Sequence, residues 1–205
     1  MSVLTLIYFF IRTAAILLVV AGVSLVILRA IFDYANVNPF TWHFRNVRRA
    51  TEPVLLPARA ILRGFRLDPR VAPFMVVILM IVAGYLAVQI AGTILNTIAG
   101  ILYATTSHRG NIPAGILGYV LFGFLGLYTL VIFVRIIFSW GGASYGSRFM
   151  RFLVRSTEPL LGPLRRMIPT VGMFDISPLI AFFIVWICQT VVASTLLRDW
   201  PLQFF

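Results

Sequence analysis

The sequence predicts an all-α membrane protein: four transmembrane helices forming two parallel repeats, each with short amphipathic helices at the cytoplasmic interface. Three observations lead to this class. The 205 residues are 60% apolar and 11% charged, with a mean hydropathy of +0.99, whereas a soluble domain carries about 25% charged residues. Four apolar runs reach the ~20 residues that a spanning helix needs. Finally, Thr51-Glu52-Pro53-Val54-Leu55-Leu56-Pro57-Ala58-Arg59 returns 106 residues later as Thr157-Glu158-Pro159-Leu160-Leu161-Gly162-Pro163-Leu164-Arg165. The same offset carries Arg29 onto Arg135, Arg45 onto Arg151 and Arg49 onto Arg155 with no gap. A repeat of this length is one structural unit used twice.

The first apolar run extends from Val3 to Phe32, interrupted only by Arg12 and Arg29. It is too long for a signal peptide and lacks a basic n-region, so it is expected to be retained. The other runs cover Val71–Tyr103, Ile112–Phe138 and Pro178–Leu197. The first two exceed the bilayer core, which predicts tilt or extension into the headgroup layer. Residues 1–103 then form the first repeat and 112–205 the second, joined by an external loop at 104–111. Gly115, Gly118, Gly123 and Gly126 fall on one face of the third run. Gln89, Thr93, Asn96, Thr97 and Gly100 mark one side of the second, and Gln189, Thr190, Ser194 and Thr195 mark the fourth. Small and weakly polar faces favour close helix packing over a polar pathway.

All seventeen basic residues are arginine, and the net charge is +11. They concentrate in the segments 33–72 and 139–177, whereas the loop between the second and third runs holds only Arg109. The positive-inside rule puts both long segments in the cytoplasm and both termini outside. The expected partners are membrane lipids and other integral membrane proteins or a second copy, with no direct nucleic-acid binding. Arg45, Arg48 and Arg49 oppose Phe40, Phe44 and Val47 at a helical period, and Arg148, Arg151 and Arg155 oppose Met150, Leu153 and Val154. These six arginines are candidate lipid-headgroup ligands, each worth ~1 kcal/mol at an anionic surface.

In the doubled motif, Thr51 and Thr157 suit helix N-caps, and Glu52 and Glu158 suit a helix N-terminus. Pro57 and Pro163 follow Pro53 and Pro159 by four residues, a spacing that costs a helix interior a hydrogen bond and a clash. The motif therefore predicts a tight turn, with Pro57 or Pro163 opening a further short helix. Arg59 and Arg165 are placed to reach back to the glutamates. Arg29 and Arg135 sit near the cytoplasmic ends of their spans, where they either order this turn or snorkel to phosphate. Arg12 is read as lying at the outer interface, with the span proper starting near Thr13.

Catalytic and cofactor chemistry is absent from the pattern. No nucleophile, metal cluster or phosphate loop is recognisable, so the protein is expected not to be an enzyme. The single cysteine, Cys188, lies in an apolar run, which excludes an internal disulfide. His43 and His108 fall on opposite sides of the membrane, and no Cys-x-x-Cys-His occurs, so no haem or other cofactor is expected.

The second copy carries a recognisable combination: Arg135-Ile-Ile-Phe-Ser-Trp140, then Thr157 to Arg165, Ile168-Pro169 and Asp175-Ile-Ser-Pro178. It resembles the YggT family, whose plastid relatives are YlmG-type proteins. The first copy departs from the pattern, with Asp33-Tyr34 in place of Ser-Trp and Arg63 where the second copy has Pro169. The resemblance implies a small non-enzymatic protein of the bacterial inner membrane or thylakoid. Relatives are linked to maturation of membrane complexes (including a haem-bearing cytochrome b subunit), to division and nucleoid distribution, and to osmotic tolerance. The reading that follows is a membrane scaffold or assembly factor whose motif is shaped by Arg29, Glu52, Pro53, Pro57, Arg59, Arg135, Glu158, Pro159, Pro163, Arg165 and Asp175. The alternative is a channel or transporter for ions or small solutes in osmotic adaptation.

Overall fold

A computed structural model describes residues 3–35, 41–64, 71–106, 111–140, 148–167 and 176–204. These form six helices with no strand among the described residues: α1 (Val3–Tyr34), α2 (Trp42–Gly64), α3 (Ala72–Thr106), α4 (Ile112–Trp140), α5 (Arg148–Met167) and α6 (Ser177–Thr195). Four helices, α1, α3, α4 and α6, are long and apolar enough to cross a membrane. Their bounds match the four apolar runs to within three residues. Much of their surface is exposed hydrophobic side chain, Leu18 and Phe183 among them. In water that would be unsustainable, but in lipid it is the expected outer face. The protein is a multi-pass membrane protein.

The chain divides into two compact units, Leu6–Gln89 and Met1–Thr5 with Ile90–Phe205. In the first, Val26 of α1, Leu55 and Ala58 of α2, and Ala72 and Val76 of α3 form the core. In the second, Ile132 of α4, Leu161 of α5, and Ala181 and Val185 of α6 do the same. Val26 aligns with Ile132 and Leu55 with Leu161 at the offset of 106 residues, so the duplicated sequence buries equivalent positions in each core.

The expected turn at Thr-Glu-Pro does not form. Instead α2 runs unbroken through Pro53 and Pro57, and α5 through Pro159 and Pro163. Each segment thus holds one helix across the motif rather than two short pieces, and Thr51 and Thr157 lie in helix interiors rather than at N-caps. The physical reason lies in which residues are buried. Met150, Leu153, Thr157 and Leu161 lie buried along α5, one helical stripe that a turn at Thr157 would break. Pro159 and Pro163 lie exposed, away from that stripe. The carbonyls they deprive of a donor, those of Arg155 and Pro159, lie on the same outer side, where polar solvent or headgroups can serve them. Asp175 lies outside the described residues.

A second core lies at the other end of α4, where Ala104, Tyr119, Leu197 and Trp200 are buried together. Residues 196–204, after α6, fold back here. Tyr119 Oη donates to the Pro201 carbonyl at 2.8 Å. Asn96 Nδ2 donates to the Leu202 carbonyl at 3.0 Å, and its Oδ1 accepts from the Phe204 amide at 2.9 Å. The α4 glycines divide between two jobs. A Cβ at Gly118 would come within 2.7 Å of Leu197, and one at Gly115 within 2.9 Å of the Trp200 ring. A Cβ at Gly126 would meet Thr93 at 3.1 Å and Gln189 at 3.3 Å, and one at Gly123 would overlap Thr97. The first pair therefore admits the C-terminal segment, and the second admits neighbouring helices.

Candidate functional site

The doubled motif is organised around a buried arginine in each unit. Arg29 and Arg135 are each only 4% exposed. Burying a guanidinium is costly unless its donors are met, and in both units threonine supplies an acceptor. Arg29 Nη1 donates to Thr51 Oγ1 at 2.8 Å, and Arg135 Nη1 donates to Thr157 Oγ1. Each threonine hydroxyl in turn donates to the carbonyl one turn earlier, Val47 at 2.8 Å and Leu153 at 2.7 Å. That bond uses the hydroxyl proton and leaves the lone pairs aimed at the guanidinium. Mid-helix threonine, weak as a helix former, is thus the residue that joins α2 to α1 and α5 to α4.

The two units balance the buried charge differently. In the second, Arg135 Nη2 donates to Glu158 Oε2 at 3.0 Å, and Arg165 stands 3.9 Å from the same oxygen. In the first, Glu52 pairs with Arg48 at 3.1 Å, and Arg29 lies 3.8 Å from Asp33 on its own helix. Sequence explains the switch: Val154 stands where the first copy has Arg48, and Ser139 where it has Asp33. Without Arg48 to hold it, the glutamate turns to the buried arginine. The bonds from Arg135 to adjacent residues 157 and 158 fix the axial register of α5 on α4.

The rest of α5 faces outward in two flanks. One carries Arg148, Arg151 and Arg155, all exposed. Among the described residues no carboxylate pairs with them. They line, with Phe152, a cleft of about 260 Å³. The adjoining flank carries Phe149, 52% exposed, Phe152, 60%, and Met167, 78%, together with Pro159 and Pro163. In α2, Arg45, Arg48 and Arg49 are exposed likewise, as are Trp42 and Pro53. The side chains of Pro57 and Arg59 lie outside the described residues. A helix with one face docked, one flank basic and one flank apolar can meet lipid phosphates and the outer acyl region together.

Sequence reasoning found the arginines, the threonines and the glutamates but not their mutual bonds, because local rules point the motif toward a turn. It missed the C-terminal cluster around Tyr119 and Trp200 altogether. The available signal was Asn96, a strongly polar side chain inside a span that requires partners.

Comparison with known proteins adds a family. The model of the CCB3/YggT family matches residues 114–196, the stretch that holds α5 and its arginine. The chain is 31% identical to the uncharacterised protein YggT of Escherichia coli K12 over 86 residues, 42% of this chain and 46% of that protein. It is 30% identical to an uncharacterised protein of Haemophilus influenzae over 159 residues, 78% of each chain. A protein of Pseudomonas aeruginosa, also uncharacterised, is 25% identical over 179 residues, 84% of this chain and 82% of its own. The match thus spans about half the length of the Escherichia coli relative and most of the other two. No solved structure matches. With the doubled Arg–Thr pair, four membrane-spanning helices and a relative matched along most of its length, this chain belongs to the CCB3/YggT family.

Proposed function

We propose that this protein is a non-catalytic scaffold or assembly factor of the bacterial cytoplasmic membrane, with both termini outside and the α2 and α5 helices on the cytoplasmic side. In this reading α5 lies in the interface, anchors to anionic lipid through Arg148, Arg151 and Arg155, and offers its apolar flank to another membrane protein. The observation that carries it is the outward face of α5. Three arginines without carboxylate partners among the described residues stand beside Phe149 and Phe152 on a helix held down by Arg135. A helix needed only to cover the ends of the spans gains nothing from exposed phenylalanines. The polar residues of the spans support packing over passage: Gln189 of α6 donates to the Phe122 carbonyl of α4 at 3.3 Å, and Thr97 of α3 sits against Gly123 of α4, where a Cβ would overlap it.

The test is purification in native lipid nanodiscs, with mass spectrometry of the proteins recovered. A stoichiometric integral membrane partner is expected, lost from the variant Arg148→Gln/Arg151→Gln/Arg155→Gln. At ~1 kcal/mol for each arginine, the same variant in nanodiscs of mixed composition should lose most of the enrichment of anionic over zwitterionic lipid around α5. Recovery of the protein alone, together with ion or solute flux in reconstituted liposomes, would replace this reading with a channel.

A further inference from the structure

Arg12 has no place in the motif, yet it stands among apolar residues of α1 and is exposed. Among the described residues no carboxylate pairs with it. It lies at one end of a groove of about 260 Å³ between α1 and α3, within the first unit. Ala15 and Val19 line the groove from α1, and Gly84, Tyr85 and Val88 line it from α3. A Cβ at Gly84 would overlap Val19 and one at Gly22 would overlap Met80. The helices therefore touch along the floor and leave an open, almost wholly apolar channel above. The groove runs from Arg12 to Val20 along α1, about 12 Å at 1.5 Å rise per residue.

The ends of the groove differ in polarity. Close contacts pair Val19 with Gly84 and Gly22 with Met80, so the helices run antiparallel, and Arg12 lies toward Tyr85 and Val88. There Gln89 Nε2 donates to Tyr85 Oη at 3.1 Å. Arg12 thus supplies a cation at one end, and mostly hydrocarbon lines the remainder. Arg29 lies seventeen residues beyond Arg12, about 26 Å along the helix, close to the ~30 Å thickness of the hydrocarbon core. With Arg29 near one interface, the Arg12 backbone falls just inside the other, within reach of the headgroups for a snorkelling side chain.

The second unit supplies a comparison. At the offset of 106 residues Arg12 aligns with Gly118. The protein's own Leu197 packs onto that glycine, with Trp200 on Gly115 beside it. In the first unit a cation replaces that glycine.

We propose that the α1/α3 groove is a seat for one phospholipid, its phosphodiester held by Arg12 and one acyl chain lying along Ala15, Val19, Gly84 and Val88. An apolar channel with a single cation at its polar end complements an amphiphile of this kind. A guanidinium also suits a phosphate bidentately.

The test uses the full chain in phosphatidylcholine nanodiscs containing a phosphatidylglycerol with a diazirine in its acyl chain. Photolabelling is mapped by mass spectrometry. Labels are expected to concentrate on residues 12–20 and 81–88, above the level at the exposed α6 residues Phe183, Trp186, Ile187 and Val191. Arg12→Gln should lower groove labelling about fivefold, the equivalent of ~1 kcal/mol, with Arg12→Lys retaining most of it. Ala15→Phe, which fills the channel and leaves the cation in place, should abolish it. Labelling of the groove no greater than that of those four α6 residues, or unchanged in both Arg12→Gln and Ala15→Phe, would overturn the proposal. Loss of labelling on adding excess inorganic phosphate would overturn it too, since a free anion would then suffice.

Discussion

Thr157→Val/Glu158→Leu is expected to lower stability by about 3–5 kcal/mol, the range for leaving a buried charge without its partners. The variant strips Arg135 of the threonine acceptor and of the 3.0 Å carboxylate contact while leaving the guanidinium 4% exposed. Arg135→Ala should cost less, about 2–4 kcal/mol, because it removes the charge and leaves only a cavity and a hydrated Glu158. Arg135→Met should cost least, since an apolar side chain of similar length often replaces a buried ion pair without penalty. The order double variant, then alanine, then methionine is what a charge network predicts. Unfolding in mixed micelles gives the energies, and tryptic cleavage at Arg151 and Arg155 reports release of α5. If Arg135→Ala proved the most damaging, packing rather than the network would hold the helix down.

Gly100→Val is expected to destabilise the opposite end of the second unit by about 3 kcal/mol, the upper part of the range for overpacking. A Cβ at this position overlaps the Tyr119 ring. The ring has little freedom to yield. Its hydroxyl is tied to the Pro201 carbonyl at 2.8 Å, and it packs edge-on to Trp200 with centroids 6.4 Å apart. Hydrogen exchange of residues 196–204 should rise with the loss. Adding Tyr119→Ala should make the pair of changes less than additive, because the second substitution removes the atoms that the first one strikes. Full additivity would mean that the two residues do not meet.

The spans were legible because an apolar run of membrane length is a signal that no local rule overrides. Positions α1, α3, α4 and α6 therefore fall where hydropathy puts them. The doubled motif was legible as a site but not as a shape. Pro57 and Pro163 carry a strong local preference against helix interiors, and that preference argued for a turn. Burial of Leu55 and Leu161 in the two cores, with Thr51 and Thr157 one turn earlier holding the arginines, outweighs it, and such tertiary contacts leave no trace within a short window of sequence. The choice of counter-ion was legible only in retrospect, through Arg48 against Val154 and Asp33 against Ser139. The glycine face of α4 was read for close packing, and it packs closely, but Gly115 and Gly118 receive the C-terminal segment rather than a span.

The proposed function depends most on where the outer face of α5 lies. Spin labels placed singly at Arg151, Phe152 and Phe149, in the full chain in anionic nanodiscs, report depth from their relative accessibility to oxygen and to a water-soluble nickel chelate. An interfacial α5 predicts labels at 149 and 152 within the headgroup–acyl boundary, ~5–10 Å below the surface, and the label at 151 at phosphate level. Equal, water-like accessibility at all three positions would contradict it, and with it the reading of this helix as the surface that meets lipid and partner.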